Sequence, residues 1–148
     1  MRTLSTILFT SIQLLLVGTV YAQAGWVQQS SGTANWLNGA YFTDANNGFV
    51  VGSSYPSGSA AILRTTNGGA TWTSQSSVEW QDLYAVAFTD SCTGIAVGGF
   101  NIGHNMGTTT SGCILRTTNA GVTWSYQKSG LFESLKAVKF TDPDNGWA

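Results

Sequence analysis

The feature that most constrains this sequence is an internal repeat. The string Phe-Thr-Asp begins at Phe42, Phe88 and Phe140, so its copies lie 46 and 52 residues apart. The string Leu-Arg-Thr-Thr-Asn begins at Leu63 and again at Leu115, which are also 52 residues apart. Matches of this length in the same order indicate copies of one structural unit, which buries its apolar surface by stacking on neighbouring copies.

Each copy predicts four short strands that are separated by glycine-containing turns. In the first copy, the predicted strands are Leu37–Phe42, Gly48–Ser53, Ala60–Thr66 and Ala70–Ser76. In the second copy they are Leu83–Phe88, Gly94–Phe100, Cys113–Thr118 and Val122–Lys128, and Leu135–Phe140 opens a third copy. The second strands are apolar at consecutive positions, which is typical of strands that are covered on both faces.

Four strands within one such period are typical of a β-propeller blade. We therefore expect an all-β fold: an incomplete β-propeller of four-stranded antiparallel blades, with about two full blades and further partial ones. The full blades would span residues 37–77 and 83–129, and residues 135–148 would start the next blade.

Two further features fit this architecture. Small residues recur in the first strands at Gly39, Ala85 and Ala137, as the crowded axis of a propeller requires. Residues 26–31 resemble the fourth strand of a blade and would be the outer strand that closes the ring. Because propellers close with about four to eight blades, we expect the sequence to be the front part of a longer protein. A β-sandwich is the alternative fold, but it does not explain the shared register.

Residues 1–22 are expected to be a secretory signal peptide and not part of the fold. A charged start at Met1-Arg2 is followed by an apolar run around Ile7–Val20 and by small residues ending at Ala22, where cleavage is expected. The apolar run is short for a membrane span, which needs about 20 apolar residues, although an uncleaved anchor is the alternative. We therefore expect residues 23–148 to be exported, to the periplasm, the cell surface or the extracellular space, without a membrane span.

The composition argues against several classes of function. Charged residues make up 9% of the chain and the net charge is −1, so we expect no nucleic-acid partner. His104 is the only histidine, and the cysteines do not flank it at ligand spacing, so we expect neither a metal site nor a cofactor. Cys92 and Cys113 would lie too far apart in one blade for a disulfide, and we expect two small buried thiols.

The turn between the third and fourth strands carries the most distinctive motif. It reads Thr65-Thr66-Asn67-Gly68-Gly69-Ala70-Thr71-Trp72, and Thr117–Trp124 is its second copy. Asparagine tolerates a left-handed backbone, glycine supplies positive φ, and tryptophan packs down to anchor the turn. We therefore assign a structural role to the recurring residues Asn67, Gly69, Thr71, Trp72, Asn119, Gly121, Thr123 and Trp124.

This turn resembles the Asp-box, or BNR repeat, of sialidase-like propellers, with asparagine in place of the usual aspartate. The wider unit runs from Phe-Thr-Asp through Gly-Phe-Val-Val-Gly to Leu-Arg-Thr-Thr-Asn-Gly-Gly-Ala-Thr-Trp. It is similar to the photosystem II stability/assembly factor family, and the resemblance covers essentially the whole mature chain. The resemblance implies a propeller of about seven blades that works by binding a protein partner.

Residues that recur between copies are poor candidates for a unique active site. Arg64 and Arg116 occupy one repeat position and would stack or hydrogen-bond between blades, or else form part of a basic stripe for an acidic partner. Asp44, Asp90 and Asp142 also recur and would cap turns. We therefore do not expect an enzyme.

A sialidase-like or glucanase-like glycoside hydrolase, with its catalytic blades missing from this sequence, is the alternative function. A glycosidase needs two carboxylates about 5 to 10 Å apart. The less regular Glu79, Asp82 and Glu133 could supply such a pair, because they sit in the connections between blades.

The loops that interrupt the repeat form the expected binding face. Strand alternation places the Phe-Thr-Asp and Asn-Gly turns at one end of the blades. The second-to-third strand loops and the blade connections lie at the other end, which varies in length and carries aromatic, amide and acidic side chains, as binding faces do. The candidates at the variable end and in the basic stripe are Trp36, Glu79, Trp80, Asp82, Asn101, His104, Asn105, Phe132, Glu133, Arg64 and Arg116.

The aromatic candidates have an alternative role, because Trp36, Trp80 and Phe132 could simply plug the space between blades. On balance, the sequence predicts an exported, non-catalytic binding or assembly scaffold for a protein or another macromolecule.

Overall fold

The computed structural model describes residues 27–75, 81–100, 111–130 and 133–148. The predicted signal peptide lies outside these ranges and stays a prediction. The strands are β1 Leu37–Phe42, β2 Gly48–Gly52, β3 Ile62–Thr65, β4 Thr73–Ser74, β5 Gln81–Phe88, β6 Gly94–Phe100, β7 Gly112–Thr117, β8 Ser125–Lys128, β9 Lys139–Phe140 and β10 Gly146–Trp147. Within the described ranges, no helix is long and apolar enough to cross a membrane.

The strands form three antiparallel sheets in chain order. The strands β1 to β4 make one four-stranded sheet, β5 to β8 make a second, and β9 and β10 make a two-stranded sheet. We name the two four-stranded sheets blade 1 and blade 2. The prediction of an all-β fold built from four-stranded antiparallel blades is therefore confirmed.

The two blades share their pairing register, as the repeated sequence predicts. Gly48 of β2 pairs with Thr65 of β3 in blade 1, and Gly94 of β6 pairs with Thr117 of β7 in blade 2. Because the side chains of a strand alternate between its two faces, equal register places equal repeat positions on the same face of both blades.

The hydrophobic core lies between the two blades. Phe49 of blade 1 and Phe88 of blade 2 stack with their ring centroids 4.3 Å apart. Trp124 contacts both rings edge-on, at 6.4 and 6.0 Å, while Val51 and Leu115 are fully buried in the same cluster. Since complete burial of one such side chain contributes about 1.5–3 kcal/mol, this joint is a main source of stability.

The first strands of the blades approach each other closely at the inner edge. A Cβ atom on Gly39 would lie 2.8 Å from the backbone oxygen of Tyr84 and 3.1 Å from the Cα of Ala85. Backbone atoms at such a distance would have to shift to admit a side chain, so only glycine fits here without movement. At Gly39, the predicted small residue is therefore required by the close approach of the two backbones.

Some predicted strands are shorter or not formed. Of the predicted strand Leu135–Phe140, only Lys139–Phe140 is paired, and its partner is β10. The fourth strand of blade 1 is reduced to Thr73–Ser74, since the turn before it extends further than predicted. Residues 27–31 form no strand, and no described residue pairs with them. Their predicted role in ring closure stays a prediction.

The two cysteines are both free thiols, but only one is buried. Burial raises the pKa of the Cys113 thiol to about 12, because desolvation disfavours the thiolate. Cys92 is exposed, so the prediction of a buried thiol is wrong at this position. The turn between β5 and β6 carries Cys92 at the end of blade 2, outside the core between the blades.

Candidate binding face

The recurring turns gather at one end of each blade. In blade 1, the Gly68 amide of the Asn-Gly turn donates to the Asn46 carbonyl at 2.9 Å. In blade 2, the Ala120 amide donates to the Cys92 carbonyl at the same distance of 2.9 Å. The Phe-Thr-Asp turns and the Asn-Gly turns therefore lie side by side, as strand alternation predicts, and we call this end the turn end.

The asparagine of each Asn-Gly turn is occupied by its own turn. The Asn67 Oδ1 accepts from the Thr65 hydroxyl and from the Thr71 amide, both at 2.9 Å. Its Nδ2 donates to the Thr71 hydroxyl, also at 2.9 Å. The same three bonds recur around Asn119 at 2.9 to 3.0 Å. With its side chain used in this way, the asparagine is placed to hold the turn.

The recurring aspartates are also bound within their own turns. The Asp44 carboxylate accepts from the backbone amides of Asn46 and Asn47 at 2.7 and 2.8 Å. Asp90 and Asp142 accept equivalent pairs of backbone amides, at 2.6 to 2.9 Å. Hydrogen bonds within the turn hold the pKa of all three carboxyls below the usual value of 3.8. They are therefore ionised, engaged groups at the turn end.

The two arginines of the predicted basic stripe occupy different environments. The Arg64 guanidinium carbon lies 6.0 Å from the centroid of the Phe49 ring, and the residue is half-buried with its Nε unpartnered. Arg116 is exposed. One copy therefore packs against an aromatic ring in its own blade while the other is exposed, and the predicted stripe stays a prediction.

At the opposite end, which we call the loop end, two aromatic side chains are exposed together. Trp36 is 69% exposed and Tyr55 is 52% exposed, and their ring centroids lie 6.0 Å apart in an edge-on contact. The Ser53 amide donates to the Trp36 carbonyl at 2.8 Å, which ties the segment before β1 to the β2–β3 loop. Trp36 therefore does not plug a space between the described blades.

The acidic candidates at the loop end are placed differently from one another. Asp82 is 5% exposed and accepts from the Ser54 amide and hydroxyl at 2.8 and 3.1 Å, so it links blade 2 to the β2–β3 loop of blade 1. Glu133 is exposed. The candidates Glu79, Trp80, Asn101, His104, Asn105 and Phe132 lie outside the described residues.

Sequence reasoning missed one set of residues at the inner edge. The first strand of each four-stranded blade has a register irregularity, between Leu37 and Gly39 in blade 1 and between Leu83 and Ala85 in blade 2, and a bulge of this kind re-aims a side chain. The residues at this position are Asn38 and Tyr84, and Lys136 occupies the same repeat position before β9; we call the three the inner triplet. Their signal in the sequence is a repeat position whose neighbours recur while its own chemistry changes.

The inner triplet connects neighbouring blades. The Asn38 Nδ2 donates to the Leu83 carbonyl of blade 2 at 2.8 Å. The Lys136 Nζ lies 3.5 Å from the centroid of the Tyr84 ring, a cation–π contact that holds the ammonium group in place. No carboxylate among the described residues forms an ion pair with Lys136, which is exposed. The Tyr84 ring therefore holds the Lys136 ammonium group in place, and the group is still accessible to a partner.

A groove of about 600 Å³ follows the three first strands. Its lining residues are Gly39–Tyr41, Ala85–Phe88 and Ala137–Phe140. Each member of the inner triplet directly precedes one of these segments, so the triplet stands at the loop end of the groove, where Trp36 also lies. The loop end thus combines exposed aromatic rings, an amide and a cation at positions that the repeat does not fix.

These features together define the class of protein. Repeated four-stranded blades with a shared register, a core between the blades and a crowded inner edge are the architecture of a β-propeller, here an incomplete one.

Comparison with known proteins agrees with this class. No protein-family model matches the sequence, and the search of curated proteins found no significant match. Among solved structures, the chain is similar to a protein described as "YCF48 bound to D1 peptide", with a TM-score of 0.57 and 21% sequence identity. The match covers 81% of this chain and 35% of that one, so this chain spans about a third of that propeller. At this identity, the likeness establishes the fold.

Proposed function

We propose that this chain is part of an exported, non-catalytic β-propeller that binds a protein segment at its loop end. The observation that carries the proposal is the exposed pair Trp36–Tyr55, with ring centroids 6.0 Å apart. Paired exposed aromatic side chains are unusual on a surface that meets only water, and they are enriched at the centre of protein interfaces.

The contrast between the two ends of the blades supports this location. At the turn end, the recurring polar side chains form hydrogen bonds within their own turns. These side chains are Asn67, Asn119 and the three recurring aspartates. At the loop end, Trp36 and Lys136 are exposed, and no described residue repeats their chemistry at the equivalent positions. A face built from non-recurring side chains is suited to recognise one partner.

The similarity to the solved structure of YCF48 supports a protein as the partner. In that structure, YCF48 is bound to a D1 peptide. A propeller of this kind can therefore hold a peptide, and we infer the same general mode, protein binding for assembly, for this chain.

Four of the described carboxylates, Asp44, Asp82, Asp90 and Asp142, are engaged within the protein, which supports a role without catalysis. The recurring aspartates are held in their turns, and Asp82 is buried against Ser54. Neither arrangement leaves a pair of carboxylates on opposite sides of an open site, as glycoside hydrolysis needs. No cluster of three or more His, Cys, Asp or Glu side chains that could hold a metal occurs in the described part of the chain.

The test is peptide binding measured with loop-end variants. The chain is screened against a library of extended peptides, and the best ligand is titrated by fluorescence anisotropy. We expect the double variant Trp36→Ala, Tyr55→Ala to bind about tenfold or more weakly, because truncation of interface aromatics removes hot-spot energy. Tyr126→Ala, at a 44% exposed aromatic on strand β8, is the matched control and should bind as the parent does. The proposal is wrong if no peptide binds, or if only Tyr126→Ala loses binding.

A further inference from the structure

A second cavity lies on blade 1 and shares no lining residue with the inner groove. Its volume is about 270 Å³. Three parts of the chain line it: residues 31–35 before β1, residues 57–61 of the β2–β3 loop, and the β3–β4 region with Leu63, Trp72 and Ser74. This volume is below the range of about 300–1,000 Å³ for sites of drug-sized ligands, so the cavity suits a ligand of a single ring.

The chemistry of the lining is neutral and rich in hydroxyl groups. None of the described lining residues is charged, and the hydroxyl-bearing ones are Ser31, Thr33, Ser57, Ser59 and Ser74. A charged ligand would have to give up its hydration without an opposite charge to replace it, which is costly. The cavity therefore favours a neutral ligand with many hydrogen-bonding groups.

Several of these groups have hydrogen-bonding capacity that the protein does not use. Asn35 is 8% exposed, and its Nδ2 donates to the Ser53 and Ser59 carbonyls, both at 2.9 Å. Its Oδ1, however, is buried without a donor. The hydroxyls of Ser59 and Ser74 make no hydrogen bond with any described residue. Ser59 is half-buried and Ser74 is exposed, so their hydroxyls are open to a ligand. Buried polar groups are nearly always satisfied, and the Asn35 Oδ1 is the lining atom that lacks a donor.

The remaining wall is apolar and aromatic. Leu63 and Ala61 are 3% and 6% exposed, and the half-buried indole of Trp72 lies beside them in the lining. An indole offers a flat apolar surface with a polar edge. A ligand that fits must therefore show an apolar face as well as a rim of hydroxyls.

We propose that this cavity binds one neutral sugar ring, either as a free sugar or as one unit of a glycan. A pyranose has both required features, because its hydroxyls form a rim and its axial C–H groups form an apolar face. Its hydroxyls would donate to Asn35 and exchange hydrogen bonds with Ser59 and Ser74, while its C–H face lies against the indole. This proposal is independent of protein binding at the loop end.

The cavity belongs to blade 1 alone, which is what a recognition site in a repeat protein should show. The repeat position of Ser74 is occupied by Tyr126 in blade 2, and that of Ala61 by Cys113. Cys113 is completely buried in the joint with blade 1. The hydroxyl-rich cavity is therefore not a by-product of the repeated fold.

The test uses methyl glycosides of glucose, galactose, mannose and N-acetylglucosamine as probes, in saturation-transfer difference NMR and isothermal titration with the chain. We expect at least one of them to bind, and the double variant Ser59→Ala, Ser74→Val to weaken that binding about five- to tenfold, as loss of two hydrogen bonds implies. Thr73→Val is the matched control, because Thr73 is the exposed neighbour of Ser74 in β4 and does not line the cavity. The control should bind as the parent does.

A titration with the trisaccharide of the best probe separates the two sources of the ligand. Tighter binding of the trisaccharide identifies a glycan, and equal binding identifies a free sugar. The proposal is overturned if no glycoside gives saturation transfer, if the double variant binds unchanged, or if inorganic phosphate or acetate binds in place of the sugars. Circular dichroism and the urea midpoint of each variant show that any loss of binding is not a loss of fold.

Discussion

Blade 1 and blade 2 have nearly the same sequence pattern and the same register, but equal repeat positions differ sharply in burial. Phe42 of blade 1 is 46% exposed, whereas its counterpart Phe88 of blade 2 is 4% exposed. The reason is the neighbour: blade 1 places Phe49 at 4.3 Å and Tyr41 at 5.8 Å from the Phe88 ring. Burial in this fold is therefore a property of the joint between two blades and not of one blade's sequence.

The two arginines also differ in burial with the neighbouring blade, but here the copy in blade 1 is the more buried one. Arg64 lies on the face of blade 1 that packs on blade 2 and is half-buried, whereas Arg116, at the same repeat position in blade 2, is exposed. Blade 1 thus buries one face and blade 2 buries the other. A role found for a residue in one blade therefore applies to its repeat copy only when that copy faces an equivalent neighbouring blade.

The largest expected effect compares the two phenylalanines directly. Phe88→Ala should lower the free energy of unfolding by about 3–5 kcal/mol, because it removes a buried ring and leaves a cavity in the joint. Phe42→Ala, the same change at the exposed copy, should cost about 1 kcal/mol or less. Urea denaturation of both variants gives the two values. Equal losses would show that the joint between the blades does not set the burial.

A smaller effect is expected where the inner strands of the two blades meet. Gly39→Ala should cost about 1–3 kcal/mol, because overpacking forces the backbone of β5 to shift, and the new Cβ atom would lie 2.8 Å from the Tyr84 oxygen. Ala40→Val, at the exposed next residue of β1, is the control and should stay within about 0.5 kcal/mol of the parent. Thermal or urea unfolding checks both, and a neutral Gly39→Ala would mean that β1 and β5 can separate freely.

Much of this architecture could be predicted from the sequence because the repeat carries the information. The spacing between Phe42 and Phe88 aligns the copies, and alignment fixes which strands pair and which turns share an end. Gly39 could be recognised as an inner-edge residue because small residues recur at that position. Local patterns of this kind are sufficient whenever each copy meets the same surroundings.

The remaining features depend on contacts that one repeat cannot reveal. Asp82 looked like an exposed candidate because it lies in a connection between blades, but the Ser54 amide of the neighbouring blade captures it. The contact between Tyr84 and Lys136 joins residues from two copies of the repeat, so a single copy does not reveal it. Cys92 is exposed because its turn lies at the end of blade 2, beyond the core between the two blades.

The smallest expected effect compares the aspartate turns of the two blades in acid. The Asn47 side chain and the backbone amides hold the pKa of Asp44 below 3.8, while the amides of Cys92 and Thr93 do so chiefly for Asp90. A carboxyl whose pKa is lowered on folding stabilises the fold above its unfolded pKa, and this stability is lost as the pH falls through the folded value. The urea midpoint should therefore fall as the pH drops below 3.8. Asp44→Asn should flatten that dependence more than Asp90→Asn, because the Asn47 side chain also donates to Asp44, whereas the equivalent residue in blade 2, Thr93, has no side-chain amide. Equal slopes in the parent, Asp44→Asn and Asp90→Asn would show that the turns do not hold these charges.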